Sequence, residues 1–198
     1  MTGDEILEAT LELACEKGLG RVTMSQIADR VHLKKASLYS HFKSKDDIIE
    51  SMYTHFRDKA MRQSGSAEVD YGKMVSGHTL KEILTTAVAS YKQINSDPDM
   101  DRFYRMIMSE RSVDPAAAAI MVEETEKMIT ATKNLFYAIS AKGVAHFPDP
   151  DAAAFSFAMG VHAVIEYECD SKHAEIGEAA GMMDTFIDEF CRVYGNKP

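Results

Sequence analysis

The sequence predicts an all-α fold, and three observations predict it. Apolar residues recur three and four apart along most of the 198 residues, the spacing of one helical face. Alternation of β-branched residues, the mark of strands, is scarce. Capping signatures and Asp-Pro pairs divide the chain at intervals that suit helices. Together they mark about nine helices: three short ones at the N-terminal end, then a long helix leading into a C-terminal bundle.

The first helix runs from about Thr2 to Lys17, with Ile6, Leu7, Thr10, Leu13 and Ala14 on one face. Thr2 and Glu5 form a capping box at its start, and Gly18 can take the positive-φ stop after it. A second box, Thr23 with Gln26, opens a short helix through Arg30 that turns Ile27, Ala28 and Val31 inward. A third short helix spans Lys35 to Phe42, with Leu38 and Phe42 as its apolar residues. Ser44 and Asp47 form a third box, starting a long helix that carries Ile48, Ile49, Met52 and Phe56. Helices as short as the second and third are unstable alone, so the first 45 residues must pack on one another.

Gln63 to Gly77, rich in glycine and serine, reads as a linker. Thr79 and Glu82 then box a helix with Leu80, Ile83, Leu84, Ala87, Val88, Tyr91 and Ile94 on its stripe. Asp97-Pro98, Asp114-Pro115 and Asp149-Pro150 each place a capping carboxylate before a proline suited to a first helical turn. They predict helices near 98–111, 115–141 and 150–170, followed by a last one near 175–194.

Ordinary globular composition, 45% hydrophobic and 27% charged, excludes collagen-like and disordered chains. The acidic start MTGDEILEAT is unlike a signal peptide, and no apolar run is long enough for a membrane helix. Cys15, Cys169 and Cys191 are too few and too far apart for a disulfide framework, so a reducing cytoplasm is expected. The net charge of −9 is unevenly spread. Between Lys17 and Lys45, seven bases stand against Asp29 alone, a local +6 on a chain whose remainder carries −15. One positive face on a repelling body suits a polyanion partner.

Two short helices across a tight turn, with bases at the start of the second, have helix-turn-helix form. A helix fits the DNA major groove, and its N-terminal residues reach base edges. Lys34 and Lys35 at that start oppose the helix dipole, a local cost that a phosphate or guanine offsets.

The stretch Ile6 to Ile49 resembles the DNA-binding domain of the TetR family of transcriptional regulators. The residues that carry the resemblance are Lys17-Gly18, Thr23-Met24-Ser25, Leu38-Tyr39-Ser40-His41-Phe42 and Lys43-Ser44-Lys45. It implies a helix-turn-helix domain over 1–46 and a ligand-binding and dimerisation domain over 47–198. It further implies phosphate contacts for Thr23, Tyr39, His41 and Lys45. Lys34 belongs to the same DNA-contacting set, and Lys35, Ala36, Ser37 and Ser40 would face base edges. Leu38 and Phe42 read as core. Three positions depart from the family pattern: His32 replaces the turn glycine, Lys34 the small hydroxyl cap, and Ala36 a glycine facing DNA.

The resemblance also implies pairing of the last two helices with their copies in a second chain. Residues 152–165 are apolar nearly all round, and Met182, Met183, Phe186, Ile187, Phe190 and Val193 stripe the final helix. Such a homodimer would hold a pseudo-palindromic operator and be released by an unknown small-molecule effector. Candidate effector contacts are polar or flexible residues set in apolar stripes: Tyr91, Tyr104, Met108, Glu124, Met128, His162 and Glu166.

The sequence is also compatible with two other classes. His162, Glu166, Cys169 and His173 share one helical face at spacings with metal-ligand reach, the basis of a metal- or thiol-sensing alternative. An acidic helical adaptor with an idle helix-turn-helix is a second alternative. No glycine-rich phosphate loop, nucleophile elbow or His-Glu-x-x-His motif is present, so neither an enzyme nor a cofactor is expected.

Overall fold

The computed structural model describes residues 2–63, 69–94, 97–176 and 181–195. The described residues form ten α-helices: α1 (Gly3–Lys17), α2 (Met24–Arg30), α3 (Lys35–His41), α4 (Lys45–Gln63), α5 (Tyr71–Val75), α6 (Leu80–Ile94), α7 (Pro98–Glu110), α8 (Pro115–Ala141), α9 (Pro150–His173) and α10 (Met182–Tyr194). A 3-10 turn, Leu19–Arg21, lies between α1 and α2. No strand forms among the described residues, which hold one isolated bridge, Ala145 to Gly195. No described helix is long and apolar enough to cross a membrane.

The local capping signals form as expected, except that only one half of the Ser44/Asp47 box is made. The boxes Thr2/Glu5 and Thr23/Gln26 form reciprocally, as does Thr79/Glu82. Ser44 accepts from the Asp47 amide at 3.1 Å, but the Asp47 carboxylate turns to the Lys43 amide instead of that of Ser44. Asp97, Asp114 and Asp149 each accept an amide of the helix that follows.

Two boundaries differ from expectation. The stretch read as a linker, Gln63 to Gly77, contains α5, because Asp70 caps it and Val75 is fully buried; residues 64–68 of that stretch lie outside the described residues. The last helix starts at Met182, not near 175: α9 continues to His173, and Gly181 in the left-handed region breaks the chain before α10. Residues 177–180 lie outside the described ones.

By packing, the chain divides into two compact units, Met1–Ala67 with Lys92–Val122, and Glu68–Tyr91 with Glu123–Pro198. In the first, α1, α2, α3, α4 and α7 enclose Ile6, Leu11, Ile27, Leu38, Ile48, Met52 and Phe56. Phe56 stacks on Phe103 of α7 at 5.2 Å, and Tyr53 meets the same ring edge-on. The Tyr53 hydroxyl donates to Asp114 at 2.7 Å; burial, then this carboxylate, drives its pKa upward. Lys59 of α4 pairs with Asp97 and Asp99 at the start of α7. The hydrogen bond from Lys59 holds the Asp99 carboxyl below its usual range.

The second unit is built around aromatic rings. Phe136 lies parallel to Phe147 at 4.5 Å and touches Phe157 and Phe190, while Phe190 reaches Tyr194 at 4.7 Å. Gly160 lets α9 approach α10 closely: a Cβ there would run into the Phe186 ring.

Candidate nucleic-acid interface

The candidate DNA-contacting residues all lie in the first unit. Thr23 accepts from the Gln26 amide at 3.3 Å, so its hydroxyl marks the first turn of α2 while the residue stays exposed. Chain reversal after α2 uses two bonds, His32 N–H to Asp29 O at 3.2 Å and Leu33 N–H to Ala28 O at 2.8 Å. This is the six-to-one, five-to-two pattern of a Schellman stop, with His32 at the left-handed position, φ 55°. Glycine is the unstrained residue there, so His32→Gly is expected to raise stability by about 0.5–1 kcal/mol. Chemical denaturation checks this; an unchanged or lower midpoint would mean that the imidazole makes good the strain.

The turn delivers α3. Leu38 is fully buried beneath it, and Phe42 packs on the same core. With Leu38 inward, Lys34, Lys35, Ala36, Tyr39, Ser40 and His41 face solvent, and Ser37 is half-buried. Lys34 occupies the cap position with no side-chain hydrogen bond to the helix. The Lys35 and Ala36 amides precede the first bond of α3, from the Ser37 amide to the Lys34 carbonyl at 2.8 Å, and so have no acceptor within the helix. Lys34, Lys35 and Lys43 have no carboxylate partner among the described residues. Ser40 donates to the Ser37 carbonyl at 2.6 Å, which leaves its oxygen lone pairs outward as acceptors.

Two members of the basic segment are engaged internally. Arg30 bonds Glu12 at 3.0 Å and Glu16 at 2.7 Å, pinning α2 to α1 and removing its charge from the face. The Lys45 ammonium donates to the carbonyls of Leu19 at 2.8 Å and Gly20 at 3.3 Å. Neither contact has a local sequence signal, because the partners lie 14 to 26 residues away.

The effector candidates divide between the units. Tyr104 and Met108 edge the first core. In the second unit Tyr91 and Met128 are half-buried, and Glu124 is exposed and paired with Lys127 at 2.7 Å. His162 and Glu166 are largely buried and lie 3.3 Å apart. A shallow hollow of about 490 Å³ in that unit is lined by Tyr71 of α5 and by Glu123, Glu126, Lys127, Thr130, Ala131 and Asn134 of α8, none of them a candidate. It was missed because these residues form the polar face of α8 and a stretch read as linker. No group of three or more metal-ligating side chains occurs among the described residues, and Cys169 and His173 of the helical stripe are exposed. Burial pushes the Cys15 and Cys191 thiols up, away from the reactive thiolate.

The final-helix stripe is split. Met183, Ile187 and Phe190 face the core of their own unit, because α10 must cover the aromatic cluster, while Met182 and Val193 stay exposed. On α9, Phe155, Met159, Ala163 and Tyr167, four residues apart, form one exposed face.

Comparison with known proteins matches residues 6–52 to the profile described as bacterial regulatory proteins, tetR family. Residues 82–196 match the profile of the AefR-like transcriptional repressor C-terminal domain. The biofilm operon negative transcriptional regulator IcaR of Staphylococcus epidermidis is 35% identical over 63 residues, 30% of this chain and 34% of that protein. The transcriptional repressor KstR2 of Mycolicibacterium smegmatis is 36% identical over 55 residues, 28% of this chain and 27% of that one. The chain thus spans about a third of the length of these curated relatives or less. A protein from Saccharomonospora viridis, solved with choline and assigned as a transcriptional regulator, superposes with a TM-score of 0.71 over 98% of both chains at 16% identity, a likeness of fold.

Proposed function

Because this chain belongs to the TetR family of bacterial transcriptional regulators, we propose that it is a cytoplasmic, homodimeric repressor that holds a pseudo-palindromic operator and lets it go when a small molecule binds. The observation that carries the reading is the presentation of α3. One apolar residue, Leu38, anchors it, and the basic and hydrogen-bonding residues around Lys35 and Ser40 are left facing solvent. By task, residues 1–46 read DNA and 47–198 bind effector and partner, a division distinct from the division by packing.

Thr23, Tyr39 and His41 meet phosphates in this reading, Lys34 supplies charge at the groove edge, and Lys35, Ala36, Ser37 and Ser40 face bases. The Ala36 methyl suits a thymine methyl. Tyr39→Ala is expected to weaken binding to all duplexes alike, whereas Lys35→Ala changes which sequence is preferred. Competition between selected and scrambled duplexes separates the two; a Tyr39 effect confined to one sequence would overturn the phosphate role.

A second copy seated on the Phe155–Tyr167 face of α9, with Met182 and Val193 of α10, completes the dimer and covers apolar surface a monomer leaves in water. For the effector we propose the half-buried polar set of the second unit, Tyr91, His162 and Glu166, with Met128 as an adaptable wall. The S. viridis protein of the same fold holds choline, and the Glu166 carboxylate would suit a cation. Effector contacts that differ between two conformations shift the reading heads out of register with the groove. Selection of bound duplexes from a random pool tests the whole reading. It should recover two inverted half-sites about 10 bp apart or more, and no enrichment at low salt would refute it.

A further inference from the structure

The 3-10 turn Leu19–Arg21 is gripped from two helices through the peptide groups of one residue. A three-residue helix has little to hold itself. Its own bonds are Arg21 N–H to Gly18 O at 3.1 Å and Val22 N–H to Leu19 O at 3.2 Å. The first amide of any helix lacks an internal acceptor; here the Leu19 N–H donates to Oε1 of Glu110, the last residue of α7, at 3.1 Å. The Leu19 carbonyl takes the Lys45 ammonium of α4 at 2.8 Å, and the same ammonium reaches Gly20 O. The Leu19 side chain is itself buried, 4% exposed, so the turn cannot slide without disturbing the core.

We propose that Lys45 is a positioning residue and not a phosphate ligand: with Glu110 it clamps Leu19 and thereby sets where α2 begins. The inference rests on the DNA-binding reading above and refines it. Two of the three ammonium donors are committed to neutral carbonyls, the Leu19 contact half-buried and the Gly20 contact at the surface. Releasing them to reach a phosphate would leave two carbonyls of the turn without that partner. What the clamp holds is functional. Arg21 ends the turn with its side chain exposed, and Thr23 caps α2 two residues later. A loosened turn therefore moves Thr23 off its phosphate although Thr23 itself is unchanged. Because Glu110 ends α7, the clamp also ties the entry to the reading helices to the last turn of that helix.

The test uses the full chain and a duplex recovered from the random pool, with Kd measured across a salt series. Lys45→Met and Glu110→Ala should each weaken binding roughly tenfold, with the slope of log K against log salt unchanged. Glu110→Gln should stay close to wild type, since its amide oxygen still accepts the Leu19 N–H. In the free protein, amide exchange at Leu19 should quicken in Glu110→Ala and not in Glu110→Gln. A slope lowered by about 0.9 in Lys45→Met is the mark of one lost phosphate contact and overturns the proposal. Unchanged affinity and exchange in Glu110→Ala also overturns it. Should Lys45→Met fail to fold, the Glu110 pair decides alone. If the wild-type chain retains no duplex, the DNA-binding reading fails, and Leu19 exchange still judges the clamp.

Discussion

Met159→Glu combined with Ala163→Glu is expected to leave the chain monomeric and to weaken its hold on a two-half-site duplex by about a hundredfold or more. Both residues are exposed and lie one turn apart on α9, in the middle of the face that runs from Phe155 to Tyr167. In a two-fold interface the same patch meets itself, so each added carboxylate faces its own copy and must lose water beside a like charge. Nothing in the interior of the second unit is touched, and helix content should be unchanged. The loss on DNA follows because the second head of a dimer binds at the effective concentration set by the first. Light scattering gives the mass, and duplexes with one or two half-sites separate the effects: one-site affinity should match that of a wild-type single head. A variant that remains dimeric with wild-type affinity would place the interface elsewhere.

Phe136→Ala should cost about 3–5 kcal/mol, the usual loss for a buried aromatic ring. Phe136 is fully buried, stacked on Phe147 and in contact with Phe157 and Phe190, so no neighbour can collapse into the space without giving up its own ring contacts. That loss is a large share of the 5–15 kcal/mol by which domains are stable. The adjacent Tyr137→Ala is the control. Tyr137 is 52% exposed and donates one hydrogen bond, to Asp151 at 3.2 Å, so its removal should cost about 1 kcal/mol or less. Urea unfolding followed by circular dichroism compares the two. Equal midpoints would mean that the ring cluster does not anchor the second unit.

Much of the local geometry around the candidate DNA-contacting residues could be read from the residues alone. Thr23 caps α2, His32 takes the left-handed turn position, and Leu38 turns inward so that Tyr39 and Ser40 turn outward. The cap and the turn follow from contacts three to five residues apart, and the facing of α3 from the helical period, and both leave a pattern in the sequence. The basic segment was harder to read. Its seven bases look alike as charges, yet Arg30 is spent on Glu12 and Glu16 and Lys45 on the Leu19 turn. The same limit applies to the last helix, where one apolar stripe divides into core residues and surface residues only when α9 is laid beside it.

Sequence alone determined the all-α class, most caps and every helix start but those of α5 and α10, because these features depend on period and on hydrogen bonds within a turn. Tertiary structure decided which lysine faces outward, that Val75 pins a short helix within an apparent linker, and that Glu110 reaches Leu19 from 91 residues away. Such pairings are set by where helices pack, and packing depends on the whole surface buried, which no local spacing encodes.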